Sequence, residues 1–289
     1  VSQKITVAII HGIGTANEDF VDETKPDKFA GGIAKPLKSR FAALMGETLE
    51  DTDSKLKIKP VYWAPILQRP QNELWDRLEV KNLSSFFKLR EFVFHSLADS
   101  IGYQITPSKR NIYDQVHEKF AETLQELAKD GDEKAPLCII AHSLGSVIAS
   151  NYIWDLQNKK ANIEIGNTSL EKGETFALFY TFGSQIALWR LRYDDFGTPI
   201  TVPSPELSKH YQNLKGEWLN FYDRDDVLGY PIKNINEEYK KVVTRDIEVK
   251  SGNFPSEWTP LSHNGYWTDS EVVEPIAQGL VNAWKSAYL

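Results

Sequence analysis

Pro136-Leu137-Cys138-Ile139-Ile140-Ala141 runs directly into His142-Ser143-Leu144-Gly145-Ser146, an apolar strand followed by a serine between small residues and then a segment of helical character. This order is the grammar of a nucleophile elbow. The turn from strand to helix is so tight there that the serine backbone is strained, and only small residues fit two places before and two after it. Ala141 and Gly145 occupy those two places. A bare Gly/Ala-x-Ser-x-Gly arises by chance in roughly one chain of this length in five. The reading therefore rests on the strand before it, the helix after it, and two later segments that offer an acid and a base.

Working outward, strand-like and helix-like segments alternate along all 289 residues, the pattern of an α/β protein with a mostly parallel sheet covered by helices on both faces. A β-branched run over 4–10 stops at His11-Gly12-Ile13-Gly14, where glycines let the chain turn. Leu56, Ile58 and Val61-Tyr62-Trp63 alternate as a second strand, and further strands are expected over 176–182, 218–222 and 243–249. In the last of these, Val243, Arg245, Ile247 and Val249 are expected on one face. Ile33, Leu37, Phe41 and Leu44 fall at helical spacing, as do Ile112, Val116, Phe120, Leu124 and Leu127, a face that ends near Asp130-Gly131. Thr268-Asp269-Ser270-Glu271 has capping-box spacing and Pro275 suits a first helical position, so a closing helix is expected over 275–285.

No linker divides the chain, so 1–289 reads as a single domain. Two stretches exceed a minimal alternation, 70–103 and 183–216, and are expected to be helical lid or cap insertions or else peripheral packing elements. In the first, Leu74, Trp75, Leu78, Phe86, Leu89, Val93 and Leu97 form an apolar pattern.

Composition bounds the function. With 41% apolar and 25% charged residues the chain is an ordinary globular protein with a sizeable core. Its net charge of −7 repels phosphate backbones and anionic headgroups, which argues against nucleic acid as a partner. The single cysteine, Cys138, lies in an apolar strand, so no intrachain disulfide is possible and a reducing, cytoplasmic setting is expected. No apolar stretch approaches the ~20 residues that span a bilayer, so no integral membrane segment is expected. The amino end lacks the basic-then-apolar pattern of a secretion signal, while the start at Val1 leaves a removed leader open. Eight Trp, twelve Tyr and fourteen Phe furnish large apolar walls, or simply an aromatic core.

A serine hydroxyl is a poor nucleophile at neutral pH. It needs a base to take its proton, an acid to orient that base, and donors for the oxyanion that forms. In open α/β sheets such groups stand just past the carboxyl ends of strands. Asp226, in Asp226-Val227-Leu228-Gly229-Tyr230-Pro231, is the preferred acid; Asp223 and Asp225 compete, and a solvated turn or an ion pair with Arg224 is the alternative. His263, in the turn-prone stretch 260–267, is the only histidine downstream of that acid and the preferred base. Of the other five, His95, His117 and His210 fall on helical or insertion segments, His11 suits a structural hydrogen bond, and His142 is expected to point away from the serine. The amides of Leu144 and Ile13 are the expected oxyanion hole, with Gly12 or Gly14 as alternatives to Ile13. A dinucleotide turn at Gly12-x-Gly14 fails at its third glycine, where Asn17 stands. This chemistry requires neither cofactor nor metal.

The order Ser143, Asp226, His263 resembles the α/β-hydrolase superfamily, and within it the lipase-like and esterase-like members. The likeness is carried by Ala141-His142-Ser143-Leu144-Gly145, Thr181-Phe182-Gly183-Ser184, Asp226-Val227 with Pro231, and His263 with Tyr266-Trp267. It spans His11 to Trp267 and begins at the strand bearing the oxyanion loop, which implies a sheet of about six strands without the usual first hairpin. The resemblance implies cleavage of a carboxylic ester through an acyl-enzyme on Ser143. The aromatic-rich insertions point to a small-molecule acyl ester of apolar character. Thioester hydrolysis or acyl transfer with the same three groups, and a catalytically idle binding protein on the same fold, are the alternatives.

Overall fold

The computed structural model describes residues 3–13, 16–78, 94, 97–104, 111–251 and 262–289. Six strands form one sheet: β1 Ile5–Ile10, β2 Leu56–Val61, β3 Leu137–His142, β4 Phe176–Phe182, β5 Glu217–Tyr222 and β6 Arg245–Glu248. Their spatial order is β2-β1-β3-β4-β5-β6, and every neighbouring pair is parallel. The register aligns Ile10 with Ala141, His142 with Phe182 and Phe182 with Phe221, so the carboxyl ends of the central strands finish at one level.

The apolar runs explain which strands are central. β1, β3 and β4 are buried at every position, as a sheet covered on both faces requires. β2 carries Pro60, which cannot donate to a ladder and is tolerated because β2 is an edge. On one face Ile5, Val7 and Ile9 pack with Leu37 and Phe41 of helix α1 (Ala34–Met45) and with Ile276 and Leu280 of the closing helix. On the other, Ala8 and Ile10 pack with Val116, Phe120 and Leu124 of Ile112–Asp130 and with Val147, Ile148 and Ile153 of Leu144–Gln157. The period of two along β1 thus sorts its side chains between two helical layers.

Three boundaries differ from expectation. The second strand stops at Val61; Tyr62 and Trp63 lie beyond it, Trp63 buried against His11. The last strand is only Arg245–Glu248. Val243 ends the short helix Glu237–Val242 and joins the core on one side of the sheet, whereas Val249 joins the core on the other, so the two do not share a face. The closing helix runs Ser270–Tyr288, because the Asp269 side chain caps it by accepting the Glu271 amide. Pro275 is therefore inside that helix and not at its start; buried Val272, Val273, Ile276 and Leu280 hold the helix through the missing N–H.

The stretch 70–103 opens within the helix Ala64–Arg77, on which Trp75 is buried edge-on to Phe94 while Leu74 faces solvent. Phe86, Leu89 and Val93 lie outside the described residues. In 183–216, the helix Ile186–Arg190 stays near the carboxyl ends, and the chain then returns to the opposite end of the sheet. There Ser204 donates its amide to Phe176 O at 2.7 Å and Leu207 and Leu214 enter the core. That return is the crossover any parallel β4–β5 pair needs. Among the described residues, no helix is long and apolar enough to cross a membrane.

Candidate active site

Ser143 sits between β3 and the helix Leu144–Gln157 with φ 53° and ψ −128°, a strained conformation for a residue with a side chain. The flanking small residues permit it. A Cβ on Gly145 would lie 2.5 Å from the His11 carbonyl oxygen, so only glycine lets the helix start this close to β1. The turn is pinned by the Ser143 amide, which donates to Phe182 O at 3.0 Å, and by Ser146 Oγ, which donates to Ser143 O at 2.6 Å.

His263 lies on the 3-10 turn Ser262–Thr268, just before the closing helix. Its Nε2 is 2.6 Å from Ser143 Oγ, and its Nδ1 is 3.0 and 2.8 Å from the two carboxylate oxygens of Asp226. A carboxylate only accepts, so Nδ1 carries the proton and Nε2 accepts the serine hydroxyl. All three side chains are buried.

The loop after β5 separates its three acids by role. Asp226 Oδ1 accepts the Leu228 amide at 2.9 Å and Oδ2 accepts the Tyr266 hydroxyl at 2.9 Å. Asp223 instead accepts the Ser251 amide and hydroxyl, and the Asp225 amide, so it braces the loop. Asp225 is exposed, and Arg224 pairs with Glu248 at 2.8 Å rather than with any of the three. Burial pushes the Asp226 carboxyl up, but the bond and charge of His263 and the donors Leu228 and Tyr266 outweigh it, and the group is held below the ordinary carboxylate range. Burial and the neighbouring Asp226 charge push the Tyr266 phenol well up, so it remains a donor.

Two glycines make room for this row. Gly183 has φ 55°, and a Cβ there would lie 3.0 Å from His263 Cε1 and 3.2 Å from Asp226 Oδ2. A Cβ on Gly12 would lie 2.4 Å from Ser143 Cβ, so the loop after β1 rests directly on the serine. Ile13 follows at once on that loop, and Leu144 is the first residue of the helix after Ser143, where the backbone amide has no intrahelical acceptor. The two therefore flank Ser143 from different strands. Gly14 lies outside the described residues.

Side-chain directions hidden in the sequence complete the site. His142 is directed elsewhere than the serine hydroxyl, as expected: its Nε2 donates to the His263 carbonyl oxygen at 2.6 Å, and the two rings lie 4.7 Å apart. Burial, helped by His263, pulls His142 down to about 3, so it is neutral. His11 Nδ1 donates to Gly12 O at 2.8 Å while its Nε2 accepts the Trp63 amide at 3.3 Å, and burial brings it to about 4. Gln185, buried, donates from Nε2 to Ser143 Oγ at 3.2 Å. Its one sequence signal is its place directly after Thr181-Phe182-Gly183-Ser184.

Beside the row a cleft of about 280 Å³ is lined by Gly12, Ile13, Phe20, His142, Asn264 and Trp267, with Asn17, Asp19 and Lys28 at its polar side. Among the described residues, no group of three or more His, Cys, Asp or Glu side chains is arranged to hold a metal ion. The arrangement can move a proton from Ser143 Oγ to His263 while Asp226 balances the charge that appears on the ring. No family model and no curated protein matches the chain.

Proposed function

We propose that the chain is a metal-independent serine hydrolase of carboxylic esters on an α/β-hydrolase fold. The observation that carries this reading is the 2.6 Å contact of Ser143 Oγ with His263 Nε2 at a serine whose φ is 53°. The parallel order β2-β1-β3-β4-β5-β6 supports the fold, since it reverses direction at β1 and β3, the strands that precede Gly12-Ile13 and Ser143. Ligands of open α/β sheets bind in the crevice at such a reversal.

Ser143 Oγ attacks the acyl carbon as its proton passes to His263 Nε2. The oxyanion points to the amides of Leu144 and Ile13, and Asp226 holds the imidazolium. His263 then gives the proton to the departing alcohol, leaving an acyl ester on Ser143, and a water activated by the same base releases the acid. The cleft beside the row, with Phe20 and Trp267 next to Asp19 and Lys28, favours a small ester of mixed polarity.

A fluorophosphonate probe should label the parent protein, and Ser143→Ala should abolish labelling and lower p-nitrophenyl acetate turnover by several orders of magnitude. Equal turnover by parent and variant removes the proposal.

A further inference from the structure

Among the described residues, Gln185 is the one side chain besides His263 that holds the Ser143 hydroxyl, and nothing in the hydrolytic cycle above uses it. It stands at the start of the helix Ile186–Arg190 yet does not cap it; Ser184 Oγ takes the Ile186 amide instead, at 3.3 Å. The carboxamide is thus directed at the serine oxygen.

Its side of approach identifies the part of a substrate it meets. Around a tetrahedral carbon on Oγ there are three further substituents. The oxyanion faces Ile13, which follows β1 on one side of β3, and Leu144. The leaving oxygen faces His263 Nε2, which must protonate it. Gln185 follows β4 on the opposite side of β3 from β1, which leaves the acyl chain as the substituent on the side of the carboxamide. Once Oγ is acylated it becomes an ester oxygen, a weaker acceptor than the hydroxyl it replaces. The buried N–H then gains from any acceptor one bond beyond the acyl α-carbon, within reach of a donor that began 3.2 Å from Oγ.

We propose that Gln185 is a specificity-determining residue that selects acyl groups carrying a hydrogen-bond acceptor, such as an ether or hydroxyl oxygen, on the α-carbon. This rests on the ester-hydrolase reading. A site with a buried donor discriminates strongly against analogues that leave the donor unmatched.

The test compares p-nitrophenyl methoxyacetate with p-nitrophenyl butyrate, which differ by an oxygen in place of a methylene, after dividing each kcat/KM by the ester's hydroxide rate constant. The parent should prefer methoxyacetate by about tenfold or more, and Gln185→Met should remove that preference by lowering methoxyacetate kcat/KM more than butyrate kcat/KM. A parent with no corrected preference overturns the proposal without needing any variant. So does a Gln185→Met protein in which both esters fall equally, which marks a purely structural role. If both results are negative while Ser143→Ala still abolishes turnover, the hydrolase reading stands and the Gln185 proposal alone fails; if the parent turns over neither ester, both fall.

Discussion

The Tyr266 hydroxyl joins the two loops of the site: it donates to Asp226 Oδ2 and accepts the Asp223 amide, each at 2.9 Å. Tyr266 lies three residues after His263 on the same 3-10 turn, so one turn supplies both side-chain partners of the Asp226 carboxylate, beside the Leu228 amide. Tyr266→Phe keeps the ring and removes both bonds. Hydrogen bonds to a charged group contribute about 1.5–3 kcal/mol, so the variant should unfold at lower urea and lose roughly tenfold in kcat. Unchanged kcat with unchanged stability would show the hydroxyl to be idle.

Asp225 and Asp226 are adjacent in the chain and opposite in environment. Under the proposed function, Asp226→Asn should lower turnover on the order of 10⁴, as loss of an orienting carboxylate does in serine proteases. Asp225→Asn, at an exposed position without a bond to His263, should stay within about twofold. Steady-state rates on one ester compare them, and a severe loss at Asp225 would move the acid.

Gly183 and Gly46 both have positive φ, 55° and 71°, but differ in their surroundings. Nothing lies within 4 Å of a Cβ on Gly46, so Gly46→Ala should lose only the backbone term of about 1–2 kcal/mol. Gly183→Ala adds a methyl against His263 and Asp226 and should cost more stability and most of the activity. Melting curves with rates on the same samples separate the two effects.

His11 and His142 are buried neutral, with folded values of about 4 and about 3 against an ordinary 6.5. Above pH 6.5 they are neutral in both folded and unfolded chains and change nothing. Below it the unfolded chain binds protons that the folded one excludes, so stability falls as pH drops from 6.5 toward about 4 for His11 and about 3 for His142. Tm should decline over that range, and His142→Gln, which keeps a donor for the His263 carbonyl, should shallow the decline. An equally steep decline in the variant would assign the acid sensitivity elsewhere.

What the chain made readable follows from what each feature depends on. β1, β3 and β4 are uninterrupted apolar runs because both faces are covered, and Ala141 and Gly145 are small because the turn around Ser143 has no space, so local text carried both. The juxtaposition of Ser143, Asp226 and His263 was readable because strands ending at one level leave few places for groups that must meet. The start of the closing helix was harder, since Thr268 and Asp269 both suit a cap and only the backbone direction selects Asp269. The partner of His142 and the direction of Gln185 were beyond reach. His142 adjoins the serine in sequence but reaches the carbonyl of a residue on a distant turn, and Gln185 abandons the helix it begins.

The Ser143 hydroxyl and the imidazole it contacts stand 120 positions apart. Synthesis at about 5–20 residues per second separates their emergence from the ribosome by roughly 6–24 s. Throughout that interval the nascent polypeptide carries the hydroxyl without its imidazole partner, and under the proposed function products of premature termination upstream of His263 should be inactive toward esters. Under the proposed function, ester hydrolysis in a cell would report only chains elongated at least through His263.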